Sequence, residues 1–176
     1  MRILAALILV LSISACVQVQ NDIAPAESQL VISSSFERDI SLDANSTYAF
    51  TPLQKSENLP VVNDITDEIE MYLNAKGYKQ VSANEQPTFH IGFILEHEDD
   101  LSDEELSETF GLNPGLPDLP NLDKGTLLMF VLDGDNQSFV WRGAAQGFII
   151  KDTTEEERDY RLKTIVHSML NQFDNK

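Results

Sequence analysis

The chain has 176 residues, of which 29 are acidic and 12 basic, for a formal charge of −17. A surface this negative repels phosphate backbones and anionic head groups, which argues against nucleic acid and against charge-driven membrane binding. The single cysteine excludes an internal disulfide, and the length suits one domain with a real core rather than two.

The N-terminus has the layout of a secretion signal. Met1 and Arg2 supply a positive start, Ile3 to Ile13 is an apolar run broken only by Ser12, and Ser14, Ala15 and Cys16 follow. A spanning helix needs about 20 apolar residues, so this run is too short to cross a membrane. The small residues before the cysteine suit a peptidase site. Ile13-Ser14-Ala15-Cys16 resembles the lipobox of bacterial lipoproteins: an aliphatic residue, two small residues and a cysteine. The resemblance implies cleavage between Ala15 and Cys16, a diacylglyceryl thioether on Cys16, and acylation of the new amine with a palmitate-type chain. The alkylation needs sulfur, because only a thiolate is nucleophilic enough near neutral pH. Each buried methylene contributes about 0.8 kcal/mol, so one acyl chain holds weakly and two or three hold nearly permanently.

In Gram-negative lipoproteins an aspartate after the cysteine favours the inner membrane. Val17 stands there instead, which points to the outer membrane and its periplasmic face. The rival reading is an ordinary secreted protein with a stray thiol. Residues 17–28, VQVQNDIAPAES, are polar, contain Pro25 and lack periodicity, so they form the linker between residues 1–15 with their anchor Cys16 and a single domain over 29–176.

Within that domain, QLVISSS (29–35) and TYAF (47–50) are β-branched or aromatic and bounded by turn residues, and predict two strands. From Val61 to Lys76, the residues Val62, Ile65, Ile69, Tyr72 and Leu73 recur at helical spacing, with Gly77 where a C-terminal cap belongs. Phe89 to Leu95 alternates as a strand. Gly125 to Leu132 and Ser138 to Phe148 predict two more, joined as a hairpin by Asp133-Gly134-Asp135-Asn136. Thr153 or Thr154 with Glu156 and Glu157 forms a capping-box signature ahead of the stripe Leu162, Ile165, Val166, Met169, Leu170 and Phe173. The order β-β-α-β-β-β-α predicts an α+β two-layer sandwich, a mainly antiparallel sheet with two amphipathic helices on one face.

The segments TYAF, DEIEMYLNAKGY, FHIGFIL and FVWRGAAQG, followed by an amphipathic helix, resemble the DUF4136 family of bacterial lipoproteins. The resemblance covers about residues 29–174 and is tightest at Val140 to Gly147. It implies a lipoprotein and a fold, and carries no activity with it. Members often have a Gly- and aromatic-rich central loop; this chain has an acidic one.

Trp141 and Arg142 adjoin on a strand and must face opposite sides, so they do not share one pocket. The expectation is Trp141 in the core, Arg142 pairing with surface carboxylates, and Gly143 and Gly147 permitting close packing. Residues 96–108, EHEDDLSDEELSE, hold eight acids but match no calcium loop, and Ser102-Asp103-Glu104-Glu105 fits a capping box opening a short helix. With Pro114, Pro117 and Pro120 the segment 96–122 predicts a surface excursion. Its Phe110, Leu112, Leu116, Leu119 and Leu122 either fold back over the sheet or meet a partner, and Phe110, Leu112, Leu116 and Leu119 are the candidate contacts with an envelope protein.

His90 and His97 fall on opposite sides of their strand, and His167 on the polar side of the last helix, so the histidines predict no metal site. No cofactor motif and no catalytic constellation is present in the sequence. Two readings follow: a lipid-anchored envelope domain that acts by binding, or an envelope hydrolase built on scattered carboxylates such as Glu96, Asp118 and Asp123.

Overall fold

The computed structural model describes residues 28–51, 59–97, 101–135 and 138–174. Six strands and three helices occur in the order β1 (Leu30–Phe36), β2 (Thr47–Phe50), α1 (Leu59–Ala75), β3 (Lys79–Gln80), β4 (Phe89–His97), α2 (Asp103–Phe110), β5 (Lys124–Asp133), β6 (Phe139–Phe148) and α3 (Glu155–Asp174). The sheet order is β1-β6-β5-β4-β2-β3. The three long pairings, β1 with β6, β6 with β5 and β5 with β4, are antiparallel. β2 runs parallel to both β4 and β3, because α1 carries the chain back to the starting end between β2 and β4. Relative to the sequence expectation, the addition is the two-residue strand β3, while α2 is the short helix that the capping box at Ser102 predicts.

Local chemistry explains where the helices begin and end. At the start of α3 the Thr154 N–H donates to Glu157 Oε2 at 2.9 Å while the Glu157 N–H donates to Thr154 Oγ1 at 3.2 Å. This reciprocal box selects Thr154 over Thr153, and the Thr154 N–H and hydroxyl, both donating to Glu157 Oε2, hold the Glu157 carboxyl below its ordinary pKa. α1 stops at Gly77, whose φ of +94° lets the Tyr78 N–H reach back to the Leu73 carbonyl at 3.1 Å. α2 opens on Ser102, whose hydroxyl accepts from the Glu105 N–H, and closes on left-handed Gly111.

Period-two alternation then sorts the sheet residues between two faces. One face receives α1 and α3. Tyr48, Phe89, Ile91, Phe93, Leu127, Met129, Val131 and Trp141 meet Val62, Ile65, Ile69, Leu73, Val166, Met169, Leu170 and Phe173 in one buried cluster. Trp141 is fully buried, its ring 5.7 Å from that of Phe173. It lies over Gly143, where a Cβ would fall 2.6 Å from the indole. The opposite face carries a smaller cluster of Leu101, Leu106, Leu112, Leu128 and Ala144 beneath α2.

Candidate functional site

Segment 96–122 is the feature of this domain that composition describes least well. Rather than a free excursion, its described residues cross the second face of the sheet: Leu101, Leu106, Leu112 and Leu116 are buried there, and Phe110 packs against the same cluster half-exposed. Of the two alternatives for its apolar residues, Leu112 and Leu116 therefore take the fold-back. Phe110 and Leu119 retain exposure at the rim.

A buried cation pins this arm. Lys124 opens β5 on the same face as Thr126 and Leu128, and its side chain is 1% exposed. Its Nζ lies 2.6 Å from Asp118 Oδ1 and 3.2 Å from Asp103 Oδ2, and donates to the Leu116 carbonyl at 3.5 Å. Gln146 of β6, also buried, donates through Nε2 to Asp103 Oδ1 at 2.5 Å. One lysine thus ties the first turn of α2 and the Pro-rich strap to the sheet, and a charge taken out of water requires such partners.

Two of the three carboxylates weighed for hydrolysis are counter-ions to lysines. Asp118 serves Lys124, and Asp123 lies 3.0 Å from Lys151 with its side chain 62% exposed. Glu96 stands on β4 opposite Thr126. Arg142 faces away from Trp141, pairs with Glu37 and lies 5.3 Å from the Phe139 ring. His167 departs from expectation. It is not on a polar face but in the seam between α1 and α3, 3.1 Å from Glu68 and edge-on to Tyr72 at 5.2 Å. The helical period placed it one step from the buried stripe, and the neighbouring α1 closes over that step. Among the described residues no group of three His, Cys, Asp or Glu side chains is placed to hold a metal ion. No described helix is long and apolar enough to cross a membrane. Ile13, Ser14, Ala15 and Cys16 lie outside the described residues.

A concave feature sits on the helix face, between the first half of α3 and the sheet. It is a cleft of about 270 Å³. Its floor is made of small residues, Gly125 and Gly147, which are register partners, and Ala145 beside Leu127. Its far wall is the Phe148-Ile149-Ile150 exit from β6, and its roof is Arg158, Arg161, Leu162 and Ile165 of α3. The apolar stripe of α3 explains the cleft. Counted back four residues at a time, Leu162 is continued by Arg158 and Ile165 by Arg161, so the stripe that seals the core gives way to two cations. Arg161 lies down on the floor, donating from Nη2 to the Phe148 carbonyl at 2.8 Å, and burial pushes its guanidinium pKa down. Gly147 makes room for it: a Cβ there would fall 3.0 Å from Nη2.

With the geometry in place, comparison with known proteins gives the class. A family model described as a domain of unknown function, DUF4136, matches residues 32–173, and the chain belongs to that family. A DUF4136 family protein from Bacteroides thetaiotaomicron is similar in structure with a TM-score of 0.54 at 11% identity, over 82% of this chain and 96% of that one. PelC from Paraburkholderia phytofirmans, solved as a dodecamer, is similar with a TM-score of 0.52 at 7% identity, over 81% of this chain and 95% of that one. A PDZ domain protein from Parabacteroides distasonis matches with a TM-score of 0.51 at 14% identity, over 82% of this chain and 36% of that one. At these identities the likeness is one of fold. No curated protein matches the chain.

Proposed function

We propose that this protein is a lipid-anchored component of the cell envelope, held through Cys16 at the periplasmic face of the outer membrane, whose domain acts by binding as an accessory or assembly factor. The observation that carries the reading is the ungapped Ile13-Ser14-Ala15-Cys16 motif behind a short apolar run, with a folded domain beginning at Leu30. Two or three acyl chains at Cys16 would hold the domain to a bilayer that its own charge repels. The cleft under α3 supports binding, because apolar concavities with a few convergent polar groups are where ligands seat. Two of the three carboxylates of the hydrolase alternative, Asp118 and Asp123, are instead counter-ions to Lys124 and Lys151.

The test is metabolic labelling with palmitate followed by membrane fractionation. Wild-type protein should carry label and sediment with the outer membrane. Cys16→Ser should lose the label and accumulate as uncleaved precursor, and a mature, membrane-held Cys16→Ser protein would sink the lipoprotein reading. Self-assembly extends the proposal, since PelC was solved as a dodecamer and β1 lies at one edge of the sheet here. Native mass spectrometry checks this; a strictly monomeric mass removes it.

A further inference from the structure

We propose that the cleft beneath α3 is a binding site for a single-chain anionic amphiphile, a molecule with one alkyl tail and a carboxylate or phosphate head. The inference rests on the reading of the domain as a binding module, and only the last of its three supports draws on an anchor at Cys16.

Three observations converge on this chemistry. The cleft interior is aliphatic and aromatic, with Leu127, Phe148, Ile149, Leu162 and Ile165 around a floor of two glycines and an alanine. Its volume of about 270 Å³ falls just below the usual span for ligand sites, which runs from roughly 300 to 1,000 Å³. A single alkyl chain suits such a space better than a two-tailed lipid or a fused ring system.

The charge at the cleft is the reverse of the charge on the chain. The protein carries 29 acidic residues, yet among the described residues lining the cleft the charged ones are Arg158 and Arg161, with no acid. Arg158 has a partner in exposed Asp159 at 3.6 Å, a distance at which solvent competes. Arg161 is held by a carbonyl oxygen, and no carboxylate among the described residues pairs with it. A half-buried guanidinium stabilised by one carbonyl gains from an anion that returns what desolvation removed. Its planar fork matches carboxylate and phosphate oxygens alike.

Position supplies the third observation. The chain enters the fold beside the cleft: a Cβ at Gly147 would lie 3.6 Å from the Gln29 carbonyl oxygen and 3.9 Å from Leu30 Cδ1. An anchor upstream of this point tethers the cleft near a bilayer, where free fatty acids and lysophospholipids are concentrated.

The experiment is photocrosslinking of the full chain in phosphatidylcholine vesicles with a diazirine-bearing palmitate, and mapping of the labelled peptides. Label should concentrate in residues 148–150 and 162–165. An excess of dodecanoate or dodecyl phosphate should compete it away, while dodecyltrimethylammonium should compete at least about tenfold less well, as expected for a charge-assisted contact. Stronger competition by dodecanoate points to fatty acids, and stronger competition by dodecyl phosphate to phosphate-headed lipids; both uphold the proposal. Arg158→Gln with Arg161→Gln should erase the preference for anions. Leu162→Trp, which fills the cleft from its roof, should abolish labelling there while keeping a cooperative thermal transition.

Equal competition by the cationic and anionic probes overturns the anionic head while leaving binding in place. Label spread along the chain in proportion to exposure, or unchanged by Leu162→Trp, overturns the cleft as a site and with it the support it lends to a binding module.

Discussion

The two faces of the sheet are built on different principles. The face under α1 and α3 holds the main apolar core, in which Tyr48, Phe89, Trp141 and Phe173 stack, tilt against one another or meet edge to face. The face under α2 has a cluster of five buried apolar residues beside Lys124, Thr126 and Gln146, which are buried as well. On the first face stability comes from area removed from water and from close packing. On the second, a polypeptide arm with a small apolar cluster is fixed in addition by directional contacts to one cation. The first arrangement makes the fold; the second gives one segment a defined course.

The largest expected effect tests the first face. Trp141→Ala should cost about 3–5 kcal/mol, the range for deleting a large buried aromatic, because the ring is fully buried over Gly143 and against Phe173. Denaturant unfolding measures it, and an unchanged midpoint would remove Trp141 from the core.

The second face should answer differently to loss and to replacement. Asp103→Asn with Asp118→Asn takes both carboxylates from a lysine whose side chain is 1% exposed. The cost should be roughly 2–3 kcal/mol, below the value for a wholly buried pair because both acids reach solvent. Lys124→Met removes the charge itself and keeps the volume, so stability should stay within about 1 kcal/mol of wild type. Equal losses in the two variants would mean that packing of the lysine stem, and not its charge, holds the arm.

Alkaline titration returns to the first face. Burial, and after it the charge of Glu70, push the Tyr48 phenol up to about 12 from 10.0. Burial raises Tyr72 and Tyr78 as well, the latter helped by its hydrogen bond to Asp174 at 2.7 Å. Between pH 10 and 12 the unfolded chain releases phenolic protons that the folded chain retains, so stability is intact below about 10 and falls as pH rises. For Tyr48 the loss is on the order of 2 kcal/mol by pH 12. Tyr48→Phe should make the alkaline limb of a stability-versus-pH curve shallower, and an unchanged limb would assign the loss to other groups.

The first face was legible in the sequence, because its code is periodic. Val62, Ile65, Ile69, Tyr72 and Leu73 mark the buried side of α1, and the alternation from Phe89 to Leu95 marks that of β4. The second face was legible only at its edges. Ser102 announced α2 and Asp133-Gly134 the hairpin, but burial of Lys124 depends on Asp118 and Asp103 arriving from elsewhere in the chain, which no local pattern encodes. A partial signal was present, since Lys124, Thr126 and Leu128 alternate onto one side. The cleft was hidden for a related reason. Arg158 and Arg161 look like solvated charges until the stripe through Leu162 and Ile165 is extended backward over Gly125 and Gly147, whose pairing belongs to the tertiary structure.

The smallest effects separate the two faces most cleanly. Thr154 and Ser102 are equivalent caps, each accepting from a backbone N–H three residues on at 3.2 Å, and loss of either hydroxyl to Ala should cost its helix about 1 kcal/mol. The two helices couple differently to the rest. α3 contributes Val166, Met169, Leu170 and Phe173 to the main core, so its first turn unfolds with the molecule. Thr154→Ala should therefore lower the global denaturant midpoint. α2 contributes Leu106 to the small cluster and rests on Lys124, so the arm can open while the main core stays closed. Ser102→Ala should speed amide exchange in residues 103–110 by about fivefold, the factor corresponding to 1 kcal/mol of local opening, with a smaller change in the global midpoint. If both caps shift the global midpoint equally, the two faces form one cooperative unit and the arm is as much a part of the fold as the core it lies behind.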